Sequence, residues 1–211
     1  NVKDRTVMRV PLQKPVRPGE TIRIDIAFKA RLPKVFARTG YAGNYYLVGQ
    51  WFPKIGVWET AGMRGRKVAG WNCHQFHANS EFYADYGVYD VMMTVPKGYV
   101  LGATGLLQSM RENPNATITH VYHAEDVHDF VWTCSPDYQV YEETWQHVKI
   151  KLMSQPEHVG VAKERYFQST KAALQYFHDW LGKYPYPNVT VVDPPIYAMG
   201  AGGMEYPTLI T

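Results

Sequence analysis

The sequence predicts a mainly β protein, in which an N-terminal antiparallel β-sandwich precedes a smaller segment of mixed helix and strand. Apolar and polar residues alternate through much of residues 1–153, which is the period of strands with one buried face. Turn signals separate the alternating segments, as they do in sandwiches. Near Gln155 and Pro156 the apolar spacing changes to that of a helix. We therefore predict a domain boundary there, with domains over residues 1–155 and 156–211.

Four segments show the alternation most clearly. The first, TIRIDIAFKA, follows the turn signal Arg17-Pro-Gly-Glu20 and places its apolar side chains on one face. The others are VYDVMMTVP, TITHVYH and HVKIKLM. They predict strands over residues 21–30, 88–96, 117–123 and 147–153.

One long helix is predicted within residues 158–183. Its apolar residues recur at spacings of seven, three and four, at Phe167, Leu174, Phe177 and Leu181. That spacing forms one helical stripe. Gly182 stands where a C-terminal capping glycine belongs, and the prolines that follow prevent continuation of the helix. The next segment, VTVVD, predicts a short buried strand over residues 189–193.

Composition narrows the class of protein. The chain has 211 residues, of which 45% are hydrophobic and 14% aromatic, so a substantial core can form. Its net charge of +3 comes from 22 basic and 19 acidic residues spread along the chain, so we expect no nucleic-acid partner. No run approaches the roughly 20 apolar residues of a membrane span.

Cys73 and Cys134 allow one disulfide, and the sequence does not determine whether it forms. It also leaves the compartment open, with a secreted or periplasmic location slightly favoured over the cytoplasm.

Eight histidines raise the question of a metal site. His74 and His77 are three residues apart, as are His120 and His123, and strand residues at that spacing point to opposite faces. Neither pair can chelate one ion without a turn. Histidines beside the carboxylates of residues 125–129 are more often part of a hydrogen-bonded surface, and the H-E-x-x-H zinc motif is absent. We therefore predict no metal ligand in this chain.

Two aromatic stretches, NYYLVGQWFPKIGVW and SEFYADYGVYD, allow two interpretations. One is a carbohydrate-stacking surface. The other, which we favour, is packing in the core and between strands, because aromatic residues are good strand formers.

The segment GAGGMEYPTLIT places one carboxylate, Glu205, directly after backbone that carries almost no side chains. An extended peptide can add along a strand over residues 206–210. Glu205 would then pair with a positive group at the end of that peptide, and such a charge-assisted interaction is strong and orienting. The alternative is a glycine-rich loop with a solvated glutamate.

Four segments together resemble one known family, the zinc aminopeptidases related to aminopeptidase N and leukotriene hydrolase. GGMEY resembles the Gly-x-Met-Glu-Asn motif of the family, and GQWFPKIGVWE resembles its Thr-Gln-x-x-Pro segment. SEFYADYGVYDVMMTVPKGYVLGATG and AEDVHDFVWTCSPDY resemble strands of its N-terminal domain, especially in bacterial members. The four segments follow the order of the family, and the resemblance covers nearly the whole chain.

The resemblance implies a saddle-like N-terminal sandwich followed by the first part of a thermolysin-like catalytic domain. It implies that Glu205 binds the free α-amine of a peptide substrate. It also implies that the backbone of Gly202, Gly203 and Met204 lines the peptide, and that Gln50 belongs to the same site. The zinc cofactor and its H-E-x-x-H helix would lie downstream. The chain would then be a fragment without peptidase activity, whose partners are the peptide N-terminus and the remainder of the catalytic domain.

Two positions depart from the family pattern. Tyr206 replaces the Asn of the motif, and Phe52 stands where many members have an acidic or amide residue. The first change leaves the charge of Glu205 in place, whereas the second removes a carboxylate from amine recognition and leaves the substrate preference open. The alternative function is a non-catalytic sandwich that binds peptide or glycan beside a degenerate peptidase-like domain.

The histidine spacing gives a testable prediction about metal content. Protein of this sequence, purified without chelator, should contain much less than one zinc ion per chain by elemental analysis, because no histidine pair is spaced for chelation on a strand. A chelator-treated sample provides the baseline. One tightly held zinc per chain would contradict the prediction and would direct attention to residues 123–129.

Overall fold

The fold comprises two compact units. A computed structural model describes residues 5–34, 38–75, 77, 79, 81–198 and 200–211. Unit 1 contains the described residues of Asn1–Ala30 and Phe52–Asp85. Unit 2 contains those of Arg31–Trp51 and Tyr86–Thr211.

Strands dominate the described residues, so the predicted mainly β class is confirmed. Short 3-10 helices cover Met63–Gly65 and Pro156–His158. The strands and the α-helix are β1 (Thr39–Ala42), β2 (Tyr45–Val48), β3 (Val57–Glu59), β4 (Gly70–Asn72), β5 (Gly87–Pro96), β6 (Val100–Ala103), β7 (Leu106–Asn113), β8 (Thr117–Val127), β9 (Trp132–Ser135), β10 (Gln139–Trp145), β11 (Val148–Ser154), α1 (Val161–Leu181), β12 (Asn188–Val192), β13 (Glu205–Tyr206) and β14 (Leu209–Ile210).

Unit 1 has a two-stranded antiparallel sheet of β3 and β4. Glu59, the last residue of β3, is buried, and its carboxylate accepts hydrogen bonds from Asn72 Nδ2 at 2.9 Å, Arg66 Nη1 at 3.1 Å and Tyr83 Oη at 3.2 Å. The bond from Asn72 and those from Arg66 and Tyr83 lower the pKa of Glu59, against the opposing effect of its burial. These contacts join the hairpin to the segments around it.

The strand predicted over residues 21–30 is wrong. These residues form no strand, and their four large apolar side chains, Ile22, Ile24, Ile26 and Phe28, stay 44–49% exposed. Alternation specifies which face of a strand would be buried, but a strand also needs neighbours that complete its hydrogen bonds. No strand of the described chain pairs with this segment.

Unit 2 contains three sheets. Two are antiparallel, with strand orders β1-β2-β9-β6 and β5-β8-β7. The third has the order β10-β11-β12-β14-β13, in which β12 runs parallel to both of its neighbours and the outer pairs are antiparallel. The strands predicted over residues 88–96, 117–123, 147–153 and 189–193 are confirmed, as β5, β8, β11 and β12.

The five-stranded sheet lies between two hydrophobic clusters. On one face, Ile150 and Val191 pack with Phe167 of α1. On the other, Met153 and Val192 pack with side chains that include those of the four-stranded sheet. All five residues of β12 are buried, including the polar Asn188 and Thr190, because the strand is covered on both faces. The sheet joins strands from both sides of residue 155, and the predicted domain boundary there stays a prediction.

The predicted helix is confirmed as α1. Of the four apolar residues predicted to form its buried stripe, only two are buried. Phe167 and Leu174 are buried, whereas Phe177 is 55% and Leu181 83% exposed. Leu174 is the last residue of the helix in the cluster against the sheet, and the apolar side chains of Phe177 and Leu181 lie outside that cluster. Gly182 ends the helix as predicted, with φ 99° and its N–H bound to the His178 carbonyl at 3.0 Å. The described residues include no helix with the length and apolar composition that a membrane crossing requires.

The helix-facing cluster gives a prediction about stability. Ile150 is 0% exposed, so Ile150→Ala should lower the free energy of unfolding by about 2–5 kcal/mol through lost burial and an unfilled cavity. Lys149→Ala, at an exposed position of the same strand, is the matched control and should change it by less than about 0.5 kcal/mol. Urea denaturation followed by circular dichroism measures both. Equal effects at the two positions would contradict this packing.

Candidate functional site

The segment after Gly203 forms a hairpin. Glu205–Tyr206 pairs antiparallel with Leu209–Ile210, and Pro207 and Thr208 form the turn. The single strand predicted over residues 206–210 is therefore wrong. Proline fixes its own φ and lacks an N–H, so it favours the first corner of a tight turn over the middle of a strand.

Thr208 holds this turn in an unusual backbone conformation. Its φ is 60°, in the left-handed region where a β-branched residue is a genuine outlier. Such strain costs about 1–3 kcal/mol and persists only when surrounding contacts impose it. Here the Gly105 N–H donates to Thr208 Oγ1 at 2.8 Å, and the Thr190 N–H donates to the Thr208 carbonyl at 2.8 Å. The turn is thereby fixed to two other strand regions of unit 2.

Among the described residues, β13 is the outermost strand of the five-stranded sheet, and no strand of that part of the chain pairs with its outer side. Met204 and Thr211 exchange backbone hydrogen bonds of 3.2 and 2.9 Å. Hydrogen-bonded and non-hydrogen-bonded pairs alternate in an antiparallel ladder, so the next pair, Glu205 with Ile210, directs the Glu205 N–H and carbonyl away from β14. The side chain of Glu205 is also exposed. One residue therefore presents a carboxylate, a backbone donor and a backbone acceptor.

The other predicted residues of this segment differ in exposure. Gly202 and Gly203 are exposed, and Gly203 has φ 77°, which glycine adopts without strain. Met204 is half-buried and packs against the cluster that contains Tyr206. Glu205 and Tyr206 follow strand alternation, with Glu205 exposed and Tyr206 3% exposed.

Gln50 is half-buried and has a left-handed backbone, with φ 52°. Its Nε2 donates a hydrogen bond to Asp129 Oδ2. Asp129 is itself buried, and its Oδ1 accepts the Phe130 N–H at 2.8 Å. The indole N–H of Trp51 donates to the Phe130 carbonyl at 3.0 Å. Two loops are joined in this way around the side chain of Gln50.

The segments that carry Gln50 and Glu205 meet through the residues next to them. A Cβ on Gly49 would lie 2.7 Å from Tyr206 Oη and 2.7 Å from the Arg38 carbonyl oxygen. That carbonyl accepts the Gly49 N–H at 3.2 Å and Tyr206 Oη at 3.3 Å. No hydrogen bond joins the Gln50 and Glu205 side chains in the described part of the chain. The structure thus joins the two segments through Gly49 and Tyr206. Because neighbouring strand residues point to opposite faces, this contact lies on the face of β13 that Glu205 does not share.

The hydroxyl group of Tyr206 stays protonated in this neighbourhood. Burial, and next the negative charge of Asp129, raise the pKa of Tyr206 far above its ordinary value. The phenol therefore remains a donor to the Arg38 carbonyl. Tyr206, which stands where the resembled motif has Asn, packs its side chain into the core.

The structure contains a second polar cluster, which the sequence analysis did not predict. Asp193 follows β12, is 4% exposed, and accepts hydrogen bonds from His158 Nδ1 at 2.8 Å, Tyr166 Oη at 3.0 Å and Ser154 Oγ at 3.1 Å. The backbone N–H of Gln155 adds a bond of 3.3 Å. These donors come from the end of β11, a 3-10 helix and α1, so Asp193 ties three elements together where the chain leaves β12 toward the hairpin. The sequence feature that could have indicated this cluster is the Asp-Pro-Pro of residues 193–195, which directly follows an apolar run.

The family resemblance places its zinc ion downstream of this chain, so the described residues would not be expected to hold it. They contain no group of three or more His, Cys, Asp or Glu side chains that could hold a metal ion. His123 lies between two carboxylates, with Nδ1 2.7 Å from Asp90 and Nε2 3.1 Å from Glu125. Because each carboxylate occupies a different ring nitrogen, the three side chains do not converge. The hydrogen bond to Asp90, followed by that to Glu125, raises the pKa of His123.

Two further sequence arguments have an outcome here. The rings of His74 and His77 stack at 5.7 Å, and neither residue is in a strand. The argument that His74 and His77 point to opposite faces of a strand was therefore wrong. Cys73 is exposed and Cys134 is buried, and both are free thiols.

A comparison with models of known protein families found no match, and a comparison with curated proteins found none either. The resemblance to zinc aminopeptidases therefore stays a prediction.

The contact between Gly49 and Tyr206 gives a prediction about stability. Gly49→Ala should lower the free energy of unfolding by about 1–3 kcal/mol, because the added methyl overlaps the Arg38 carbonyl and the Tyr206 hydroxyl. Gly202→Ala is the matched control, since its Cβ would meet only Pro194 Cγ at 3.9 Å. It should change stability by less than about 0.5 kcal/mol. Thermal and urea denaturation measure both, and an unaffected Gly49→Ala variant would refute the close approach.

Proposed function

We propose that this chain forms part of a zinc-dependent aminopeptidase and supplies the carboxylate that binds the N-terminal ammonium group of a peptide substrate. The observation that carries the proposal is the exposure of Glu205 on an open sheet edge. A carboxylate paired with an ammonium group at such a place orients the peptide from its first residue.

The backbone around Glu205 supports the same proposal. A peptide that adds to a sheet edge gains main-chain hydrogen bonds, and the Glu205 N–H and carbonyl are directed to that edge. The exposed glycines Gly202 and Gly203 leave room for a second backbone to approach. The turn at Thr208 keeps the hairpin in one conformation, so little ordering is needed when a peptide binds.

The proposed role of Glu205 is to set the register of cleavage. A free ammonium held by this carboxylate fixes which peptide bond comes next, so only the first bond would reach the reacting centre. Zinc would supply the activated water in such an enzyme. We assign no residue of this chain to zinc, because the described residues do not provide a ligand set.

A non-catalytic binding protein is the second candidate, and one observation favours it. Trp58 and Trp71 of unit 1 are 51% and 59% exposed, and their rings meet edge to face at 5.2 Å. Exposed aromatic rings can bind glycans or apolar peptides. This candidate does not depend on a free amine, so the two candidates respond differently to loss of the Glu205 charge.

Glu205→Gln tests the proposed function in the enzyme that contains this chain. The substitution keeps the size of the side chain and removes its charge. A hydrogen bond to a charged group is worth roughly 1.5–3 kcal/mol, so kcat/KM for free-amine peptides should fall about 10- to 150-fold. Residual cleavage of N-acetylated peptides should change little, because their N-terminus carries no charge. Zinc content should be unaltered.

Glu142→Gln is the matched control. Glu142 is an exposed residue of β10, at the opposite edge of the same sheet, and its substitution should leave both rates unchanged. Equal losses for free-amine and N-acetylated peptides in Glu205→Gln would assign Glu205 a structural or catalytic role and refute amine recognition.

A further inference from the structure

Two methionines and a histidine form one cross-strand row in unit 2. In the sheet β5-β8-β7, Met93 of β5 lies directly opposite His120 of β8, and His120 lies directly opposite Met110 of β7. Residues that are directly opposite in adjacent antiparallel strands share a face of the sheet, with their Cβ atoms about 4.5–5.5 Å apart. This Met-His-Met row therefore places an imidazole between two thioethers.

The three residues of the Met-His-Met row differ in exposure. Met93 is 6% and His120 5% exposed, whereas Met110 is 61% exposed. Among the described residues, β7 is an outermost strand of its sheet. The row therefore runs from the interior of unit 2 to an accessible edge.

The imidazole of His120 has a buried nitrogen that no protein group satisfies. Its Nδ1 has no hydrogen-bond partner in the part of the chain that the structure describes. Such atoms are uncommon and costly, so one in a ring flanked by two thioethers indicates a ligand. Burial lowers the pKa of His120 and outweighs the backbone hydrogen bonds at Ile118 and Met93, which raise it. The ring is therefore neutral at neutral pH, as a metal ligand must be.

The donor atoms of the row select one class of metal ion. Thioethers are soft ligands that favour Cu⁺, and imidazole also binds copper, whereas Mg²⁺ and Ca²⁺ prefer oxygen ligands. The positive charge of Lys151 acts on the His120 ring, and it repels a divalent ion more strongly than a monovalent one at the same distance. Both effects favour a soft monovalent ion.

We propose that Met93, His120 and Met110 form a binding site for Cu⁺, with the two thioether sulfurs and Nδ1 of His120 as ligands. Methionine side chains are unbranched and flexible, so both sulfurs can turn toward one ion beside the ring. The ion enters from the edge of the sheet, where Met110 is exposed. The site is separate from Glu205 and does not depend on the proposed function.

The sequence analysis predicted no metal ligand because it compared histidines with one another and with carboxylates. The two methionines of the row lie on other strands, and only the register of the sheet brings them beside His120. The expectation that the chain has no metal ligand is therefore revised. The expected absence of zinc is retained, since thioethers favour Cu⁺.

The test uses Ag⁺ as a redox-stable probe for Cu⁺, in chloride-free buffer, with the chain that carries Cys73→Ser. This substitution removes the exposed thiol, which would compete for a soft ion, and Cys134 is buried. NMR of the methionine methyl groups reports on each sulfur. Stoichiometric Ag⁺ should shift the methyl resonances of Met93 and Met110. That of Met92 should stay in place, because this neighbour is 77% exposed on the opposite face of β5.

Met110→Leu removes one sulfur at an exposed position, so the variant should fold. Its affinity for Ag⁺ should fall at least about 10-fold, because even changes to groups around a metal ligand cost about 10- to 100-fold. Met92→Leu is the matched control and should bind Ag⁺ as the parent chain does. Cu⁺, measured anaerobically by competition with a chromogenic chelator, should give the same order of affinities.

Three outcomes would overturn the proposed site. The first is equal affinity for Ag⁺ in Met110→Leu and Met92→Leu, and the second is an unchanged affinity in His120→Phe, which removes Nδ1. The third is a shift of the Met110 methyl resonance by Zn²⁺ as large as that by Ag⁺, which would contradict selection of a soft monovalent ion. Circular dichroism of each variant verifies that the sheet is intact.

Discussion

The parallel pairing of β12 on both of its sides is the constraint on which the rest of unit 2 depends. Parallel neighbours cannot be joined by a tight hairpin and need a long crossover, which α1 supplies between β11 and β12. Burial of both faces then requires a layer on each side, and the helix and the four-stranded sheet provide them. The hairpin that carries Glu205 is fixed to the same strand, since the Thr190 N–H binds the Thr208 carbonyl.

Two carboxylates near the hairpin differ in what surrounds them. Asp129 is enclosed, and its oxygens accept hydrogen bonds from a backbone N–H and a side-chain amide. Glu205 is exposed beside backbone groups that point outward. A buried carboxylate must be satisfied within the protein, so Asp129 contributes to the arrangement of its neighbours. An exposed one is free to exchange water for a ligand, which makes Glu205 the better candidate for direct recognition.

Local patterns in the sequence predicted local structure, but they failed where the structure of a segment depends on partners that are distant in the sequence. Alternation was sufficient for β5, β8 and β11, and apolar spacing with a capping glycine was sufficient for α1. The same alternation failed over residues 21–30, because it does not specify a neighbouring strand. The position of Glu205 after bare backbone indicated exposure. The bond between Gln50 and Asp129 spans 79 positions, and the local sequence around either residue does not predict its contact with the other. The left-handed backbone of Thr208 likewise follows from contacts with Gly105 and Thr190.

The shortness of β13 affects how molecules of this protein meet one another. Open sheet edges attract other strands, and long, flat edges lead to aggregation. This edge is two residues long, ends at Pro207, and carries the negative charge of Glu205. A second copy that paired there would gain few hydrogen bonds, and its own Glu205 would bring a like charge close to the first. The edge is therefore a poor starting point for a fibril.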